Sequence, residues 1–314
     1  MRRSGSTARW SNASAALVAS VFMVLAVLGA ALAPPATAAS TLDRIRQTGK
    51  LTIGFREDAR PFSFLEGSEP SGFSIDLCKA VAEEVKTQAG IPNLTIEWVP
   101  VTVETRFEAV KQGQIDLLCS ADTATLTRRG DVSFSLPFFP SGIAALVRSD
   151  SPPALRDVLL GKPQTGPIWR ASPARILEGK TFAVVKGTSG ETWLNDRIND
   201  FQLTAKVVPV ETYEDGVQLL LDRGADVFFG DRAIVADALA DEAQGNDLVV
   251  LDRLFTFEPI ALGLAWNNDD FRLMVDKALS KTFRTPDFRH EYAKWFGVPD
   301  ESVLTFYRQS TLPD

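Results

Sequence analysis

From Ser40 onward, short runs of β-branched and apolar residues alternate with stretches whose apolar positions recur at helical spacing. The short runs predict strands over Leu51–Phe55, Thr95–Val101, Ile115–Ser120, Ile143–Arg148, Thr181–Val185, Lys206–Glu211, Asp226–Asp231, Leu248–Leu251 and Ile260–Trp266. The periodic stretches predict helices over Ser74–Thr87, Glu104–Gln112, Gly190–Asn199, Tyr213–Arg223, Ala233–Ala243, Asp270–Phe283 and Pro286–Phe296. For the last of these, Thr285 is placed as the N-cap and Pro286 as the first helical residue. Alternation of this kind predicts an α/β protein with mixed, mainly parallel sheets flanked by helices.

Two interruptions divide the pattern. A proline-rich excursion, 149–179, breaks the alternation, which restarts at Lys180. The strand Ile260–Trp266 and the two helices after it follow the second set of elements, yet are equipped to return to the first. Two lobes are therefore expected, with lobe 1 built from 40–141 and 260–297 and lobe 2 from 142–259. Residues 298–314 are expected to form a C-terminal tail. No internal repeat, low-complexity tract or coiled coil is visible.

The first 39 residues read as a secretory leader. Arg2, Arg3 and Arg9 precede an uncharged apolar run from Ala13 to Ala33, and Pro34-Pro35 and Ala36-Thr37-Ala38 follow it, which places cleavage near Ala38 or Ala39. The run is long enough to act instead as an uncleaved anchor. No cysteine stands near its end to carry a lipid.

The chain holds 33 Lys and Arg against 40 Asp and Glu; loss of the three leader arginines takes the net charge from −7 to −10. That acidic balance argues against nucleic acid and anionic membrane surfaces as partners. No second apolar stretch reaches membrane-spanning length, so no membrane insertion of the mature chain is expected. The two cysteines, Cys78 and Cys119, could share one helix–sheet layer and form a disulfide, but the restrictive geometry of that bond favours two separately buried thiols.

Enzymatic chemistry finds little support. The single histidine, His290, lies among polar neighbours in the final periodic stretch and reads as a surface residue. Multi-histidine metal sites are thereby excluded, and neither metal nor cofactor is expected. Gly187-Thr188-Ser189-Gly190 lacks the lysine and spacing of a phosphate loop. It does follow a strand and open a helix, so its free N–H groups suit an anion such as a carboxylate, alongside ordinary N-capping by Thr188 or Ser189.

A more specific run is Thr123-Ala124-Thr125-Leu126-Thr127-Arg128, followed by Phe134-Ser135-Leu136-Pro137-Phe138-Phe139. It resembles the T-x-T-x-x-R … F-S-x-P-[YF]-[YF] signature of the bacterial extracellular solute-binding proteins, family 3, the polar amino-acid receptors of ABC importers. Gly49–Gly54, Pro61-Phe62-Ser63-Phe64, Gly72–Leu77 and Tyr292–Gly297 are similar to other parts of the family pattern, in the same order and at matching separations.

The resemblance implies the type II periplasmic-binding-protein fold, two lobes joined by a two-strand hinge, closing on a free amino acid. It implies that Arg128 pairs with the α-carboxylate, a task suited to a planar guanidinium fork. Thr123 and the backbone around Ala121 add donors to that carboxylate, and Thr188 and Ser189 offer donors from the opposite lobe. Asp231 would hold the ammonium; by itself it could equally cap the helix beginning near Ala233. Arg56 and Arg106 would read the ligand side chain, and the segments Gly54–Ser63 and Val101–Arg106 are most similar to glutamate/aspartate-binding proteins. Surface pairing of Arg56 with Glu57 or Asp58 is the plainer alternative. Val103 and Ala121 depart from the pattern, replacing two ligand-binding serines. The expected partners are a free amino acid and an inner-membrane ABC permease, and the expected state is a periplasmic monomer. The other reading is an enzyme on the same fold, such as a cyclohexadienyl dehydratase, with Glu57 or Glu191 as weak general-acid candidates.

Overall fold

The first sheet grows outward from the strand Lys50–Phe55, whose Leu51, Ile53 and Phe55 are buried. It pairs in parallel with Thr95–Pro100 on one side and Leu117–Cys119 on the other. Glu258–Leu264 and Ser133–Ser141 complete five strands, Glu258–Leu264 running antiparallel to both its neighbours. The second sheet repeats the plan: Lys206–Val210, Thr181–Val185 and Val227–Asp231 are parallel, and Ile143–Arg148 and Leu248–Val250 add two antiparallel pairings. The computed structural model describes residues 40–163, 173–239 and 247–313. The expected leader, the centre of the proline-rich excursion and the end of the helix expected over Ala233–Ala243 lie outside the described residues.

The central strands are short apolar runs buried on both faces, as parallel strands between helix layers must be. The helix Phe73–Gln88 covers the first sheet with Ile75, Leu77, Cys78, Val81 and Val85. In the second lobe, Tyr213–Leu221 begins with a reciprocal capping box in which Thr212 and Asp215 satisfy each other's backbone N–H groups.

Two chain segments cross between the sheets. In the first, Ser133–Ser141 of one sheet runs through Gly142 into Ile143–Arg148 of the other. A Cβ at Gly142 would sit 2.2 Å from the Thr256 carbonyl oxygen of the second crossing segment, so only glycine allows the two to pass this closely.

Several elements differ from the expectations. Cys78 and Cys119 are not separate thiols: a disulfide joins the helix Phe73–Gln88 to the strand Leu117–Cys119, with Cα atoms 6.4 Å apart. The helical stripe carries Cys78 directly over the strand end, which satisfies the separation the bond requires. The excursion contains the helices Pro153–Leu159 and Pro173–Leu177, the first anchored by buried Leu155 and Leu159. Its proline at the first helical position starts a helix rather than breaking one. Thr285 ends the helix Asp269–Arg284, donating its hydroxyl to the Thr282 carbonyl at 2.8 Å, and the next helix begins at Phe288.

The expected tail is also structured. Glu301–Ser310 is a helix whose buried Tyr307 donates to the Phe138 carbonyl at 2.8 Å and meets the Phe288 ring at 4.5 Å. Phe139 of the same crossing strand packs on Phe62 and Phe296, at 4.9 and 4.6 Å between centroids. The C-terminal helices thus hold the crossing strand Ser133–Ser141 through an aromatic cluster. Among the described residues, no helix is long and apolar enough to cross a membrane.

Candidate functional site

In parallel α/β sheets, binding groups gather where the carboxyl ends of the strands open. Here five parallel strands from two sheets end at one cleft. Arg56 follows Lys50–Phe55, Ala121, Asp122 and Thr123 follow Leu117–Cys119, and Thr188 and Ser189 follow Thr181–Val185. Tyr213 follows Lys206–Val210 and Asp231 ends Val227–Asp231. Arg106, Arg128 and Glu258 complete the polar lining. All eight residues singled out from the sequence therefore share one cavity. The two lobes meet across this cavity, where Arg106 Nη2 donates to the Gly187 carbonyl of the opposite lobe at 3.4 Å.

The three arginines carry their charges differently. Arg56, 3 % exposed, donates from Nε and Nη2 to the two carboxylate oxygens of Asp58, at 2.8 and 2.7 Å. Burial works against its charge, yet Asp58 outweighs burial and raises the guanidinium pKa. The expected alternative of a pairing with Asp58 is thus realised, with Arg56 buried in the cavity lining and Asp58, its side chain 31 % exposed, outside it. Arg106 is 2 % exposed and donates from Nε to Asp122 Oδ1 at 2.5 Å, with Asp122 equally buried. Its Nη2 reaches across to the Gly187 carbonyl of the second lobe at 3.4 Å.

Arg128 has no carboxylate within ion-pair distance among the described residues. Its Nη1 donates to the Thr123 carbonyl at 2.9 Å, and its guanidinium lies 5.2 Å from the centre of the Phe107 ring. Burial lowers its pKa, with Asp122 and Glu258 opposing and Arg106 adding to the shift. A cation so placed favours an incoming anion.

The second lobe supplies hydroxyls and a carboxylate. Thr188 is the N-cap of Ser189–Asp200: its Oγ1 accepts from the Glu191 N–H and donates to the Val185 carbonyl at 2.6 Å. Asp231 accepts from the N–H groups of Ala233 and Ile234, so it caps the helix Arg232–Asp237 while lining the cleft. Burial raises its pKa to about 6, and the charge of Glu258 pushes the same way.

Glu258 was not anticipated from the sequence. It is 8 % exposed, and its Oε2 accepts from Thr123 at 2.7 Å and from Ser189 at 2.6 Å, one hydroxyl from each lobe. Its Oε1 accepts from Thr256 at 3.1 Å. The hydroxyls of Thr123 and Ser189 are therefore committed to a protein carboxylate here. Asp122 and Tyr213 were likewise missed. Only the position of Tyr213, first in a helix that follows a parallel strand, signalled a cleft residue. Val103, the expected departure, packs at the Gly187 loop across the cleft, its Cγ1 3.0 Å from where a Cβ on Gly187 would sit.

The weak enzyme candidates lie elsewhere. Glu57 is exposed, and Glu191 accepts from the Gly187 N–H at 2.8 Å rather than lining the cavity. His290 is exposed on the helix Phe288–Phe296. Among the described residues, no cluster of His, Cys, Asp and Glu could hold a metal ion.

Residues 51–298 match the family model of bacterial extracellular solute-binding proteins, family 3. The chain belongs to that family. It is 27% identical over 287 residues to the L-glutamate/L-aspartate-binding protein of Pseudomonas aeruginosa, an alignment covering 90% of this chain and 89% of the relative. It is 25% identical to the glutamate/aspartate import solute-binding protein of Salmonella typhimurium, covering 83% and 81%. Among solved structures, it is similar to the ancestral amino acid-binding protein AncCDT-1, described as a precursor of cyclohexadienyl dehydratase. That match has a TM-score of 0.65 and 27% identity, and covers 82% of this chain and 100% of the other. As a member of this solute-binding family, the chain has a two-lobed, mixed-sheet architecture whose interlobe cleft is the natural place for a small solute.

Proposed function

We propose that this chain is the periplasmic capture component of an amino-acid ABC importer, closing its two lobes on one free amino acid. The carrying observation is Arg128, partly buried and without a carboxylate in ion-pair distance among the described residues, sharing a cavity with Asp231. Arg128 offers the fork for an α-carboxylate, and Asp231, with Glu258 beside it, offers negative charge for the ammonium. Enclosure from water strengthens both contacts. The lobes touch across the cavity through Arg106 and Gly187, so the ligand enters when the crossing segments at Gly142 and Thr256 flex and the lobes part.

The protein is exported, its leader is removed, and the mature monomer delivers its ligand to an inner-membrane permease. The Cys78–Cys119 disulfide supports an oxidising compartment. It binds without turnover; Glu57 and Glu191, the sequence candidates for a general acid, do not line the cavity. At the far end of the ligand, Arg56 and Arg106 are the groups a side chain would meet. The relatives named for glutamate and aspartate make the acidic amino acids the first ligands to test. Calorimetry on the purified protein should give a one-to-one complex with a free amino acid; no heat with any of the twenty would refute the reading.

A further inference from the structure

Arg56 and Arg106 have the residue type for an acidic side chain but not its electrostatics. The Nε and Nη2 fork of Arg56, the face a ligand carboxylate would use for two parallel hydrogen bonds, is filled by Asp58. Arg106 is matched by Asp122 at 2.5 Å, with both side chains 2 % exposed. The cavity lining matches Asp122, Asp231 and Glu258 against Arg56, Arg106 and Arg128, and Asp58, outside the lining, adds a fourth carboxylate on Arg56. Beyond the α-carboxylate that Arg128 would take, the side-chain carboxylate of a dicarboxylic amino acid would find no second arginine of the lining without a carboxylate partner, and burying such a charge is costly.

The buried pair also leaves two atoms over. Arg106 Nη1 and Asp122 Oδ2 are buried without a hydrogen-bond partner among the described residues. One is a donor and the other an acceptor. Orphaned buried polar atoms are rare in native proteins and call for a partner. A carboxylate only accepts and would oppose Asp122; a guanidinium or ammonium only donates and would oppose Arg106; a carboxamide does both. We propose that Asp58 and Asp122 are specificity-determining residues, cancelling the charge of Arg56 and Arg106 so that the cleft selects a carboxamide side chain, as in glutamine or asparagine, over a carboxylate. This rests on the capture of a free amino acid proposed above.

The test is calorimetry on protein purified from periplasmic extract, titrated with glutamine, asparagine, glutamate, aspartate, arginine and histidine. The expected result is that glutamine or asparagine binds at least about tenfold tighter than its acid, a difference of about 1.4 kcal/mol. In Asp122→Asn the released Arg106 charge should favour the acids, narrowing or reversing that ratio by about tenfold. Asp122→Ser and Asp58→Asn, checked for folding by thermal melting, provide independent variants. Equal or tighter binding of glutamate or aspartate by the wild type overturns the inference, as does tightest binding of arginine or histidine. An unchanged amide-to-acid ratio in the folded variants overturns it too. Silence with every ligand overturns the capture reading itself, and is distinguishable from a preference for the acids, which overturns only this inference.

Discussion

Arg106 and Arg128 lie against the same phenylalanine, 4.4 and 5.2 Å from the Phe107 ring centre, yet one is matched by a protein carboxylate and the other is not. Arg106 is sealed with Asp122 and bonded across the cleft to Gly187. Arg128 has no carboxylate within ion-pair distance among the described residues and donates to the Thr123 backbone carbonyl. Residue type alone does not separate the two; the presence or absence of a built-in counterion does, and the proposed carboxylate contact rests on that difference.

The largest effect should come from breaking the sealed pair. Arg106→Ala leaves Asp122 buried and unpaired, which should destabilise the protein by about 3 to 5 kcal/mol in a denaturant melt. Arg128→Ala strands no buried carboxylate partner, so its melting should stay close to wild type. Its amino-acid affinity should fall by about 2 kcal/mol or more, roughly thirtyfold or beyond, in calorimetry. If Arg106→Ala loses binding with its stability intact, or Arg128→Ala unfolds, the contrast between the two arginines fails.

The opposite wall gives a pH signature. Burial raises the Asp231 pKa to about 6 in the free protein, above its ordinary value of 3.8. Its proton-bound form is therefore favoured by the fold, and that contribution to stability is lost as the pH rises from near 4 through 6. A bound ammonium favours the ionised form, so affinity should hold above pH 6 and fall by up to about tenfold per unit below it. The ligand-induced rise in melting temperature should accordingly be larger at pH 7.5 than at pH 5, and Asp231→Asn should flatten the profile. The smallest effect is expected from Ser189→Ala. It removes one of the two hydroxyls that join Glu258 to both lobes and should weaken closure, and with it binding, by about 1 kcal/mol, roughly fivefold.

Much of the fold was legible because its central strands are short, apolar and β-branched. The expected Ile143–Arg148 and Thr181–Val185 match the structure residue for residue, and other strand limits moved by one or two positions. Ser133–Ser141 was not read as a strand because Pro137 and Pro140 interrupt it; both lie at the edge of the first sheet, where a missing donor is tolerated. Proline also hid the helix Pro153–Leu159. The disulfide was invisible for another reason: sequence places both cysteines near one layer but does not fix the distance between them. In the cleft, the basic residues were recognisable through the family resemblance. Their carboxylate partners were not. Asp122 and Glu258 are ordinary acids until the chain brings one beside Arg106 and the other between Thr123 and Ser189.

The central claim is that Arg128 grips the α-carboxylate of a free amino acid. Its most direct test is a paired calorimetric titration with the best-bound amino acid and with the same molecule capped as its α-amide. The account predicts a one-to-one complex with the free acid and loss of at least about 2 kcal/mol of affinity with the capped form. Equal binding of the two, or heat from neither, would contradict it.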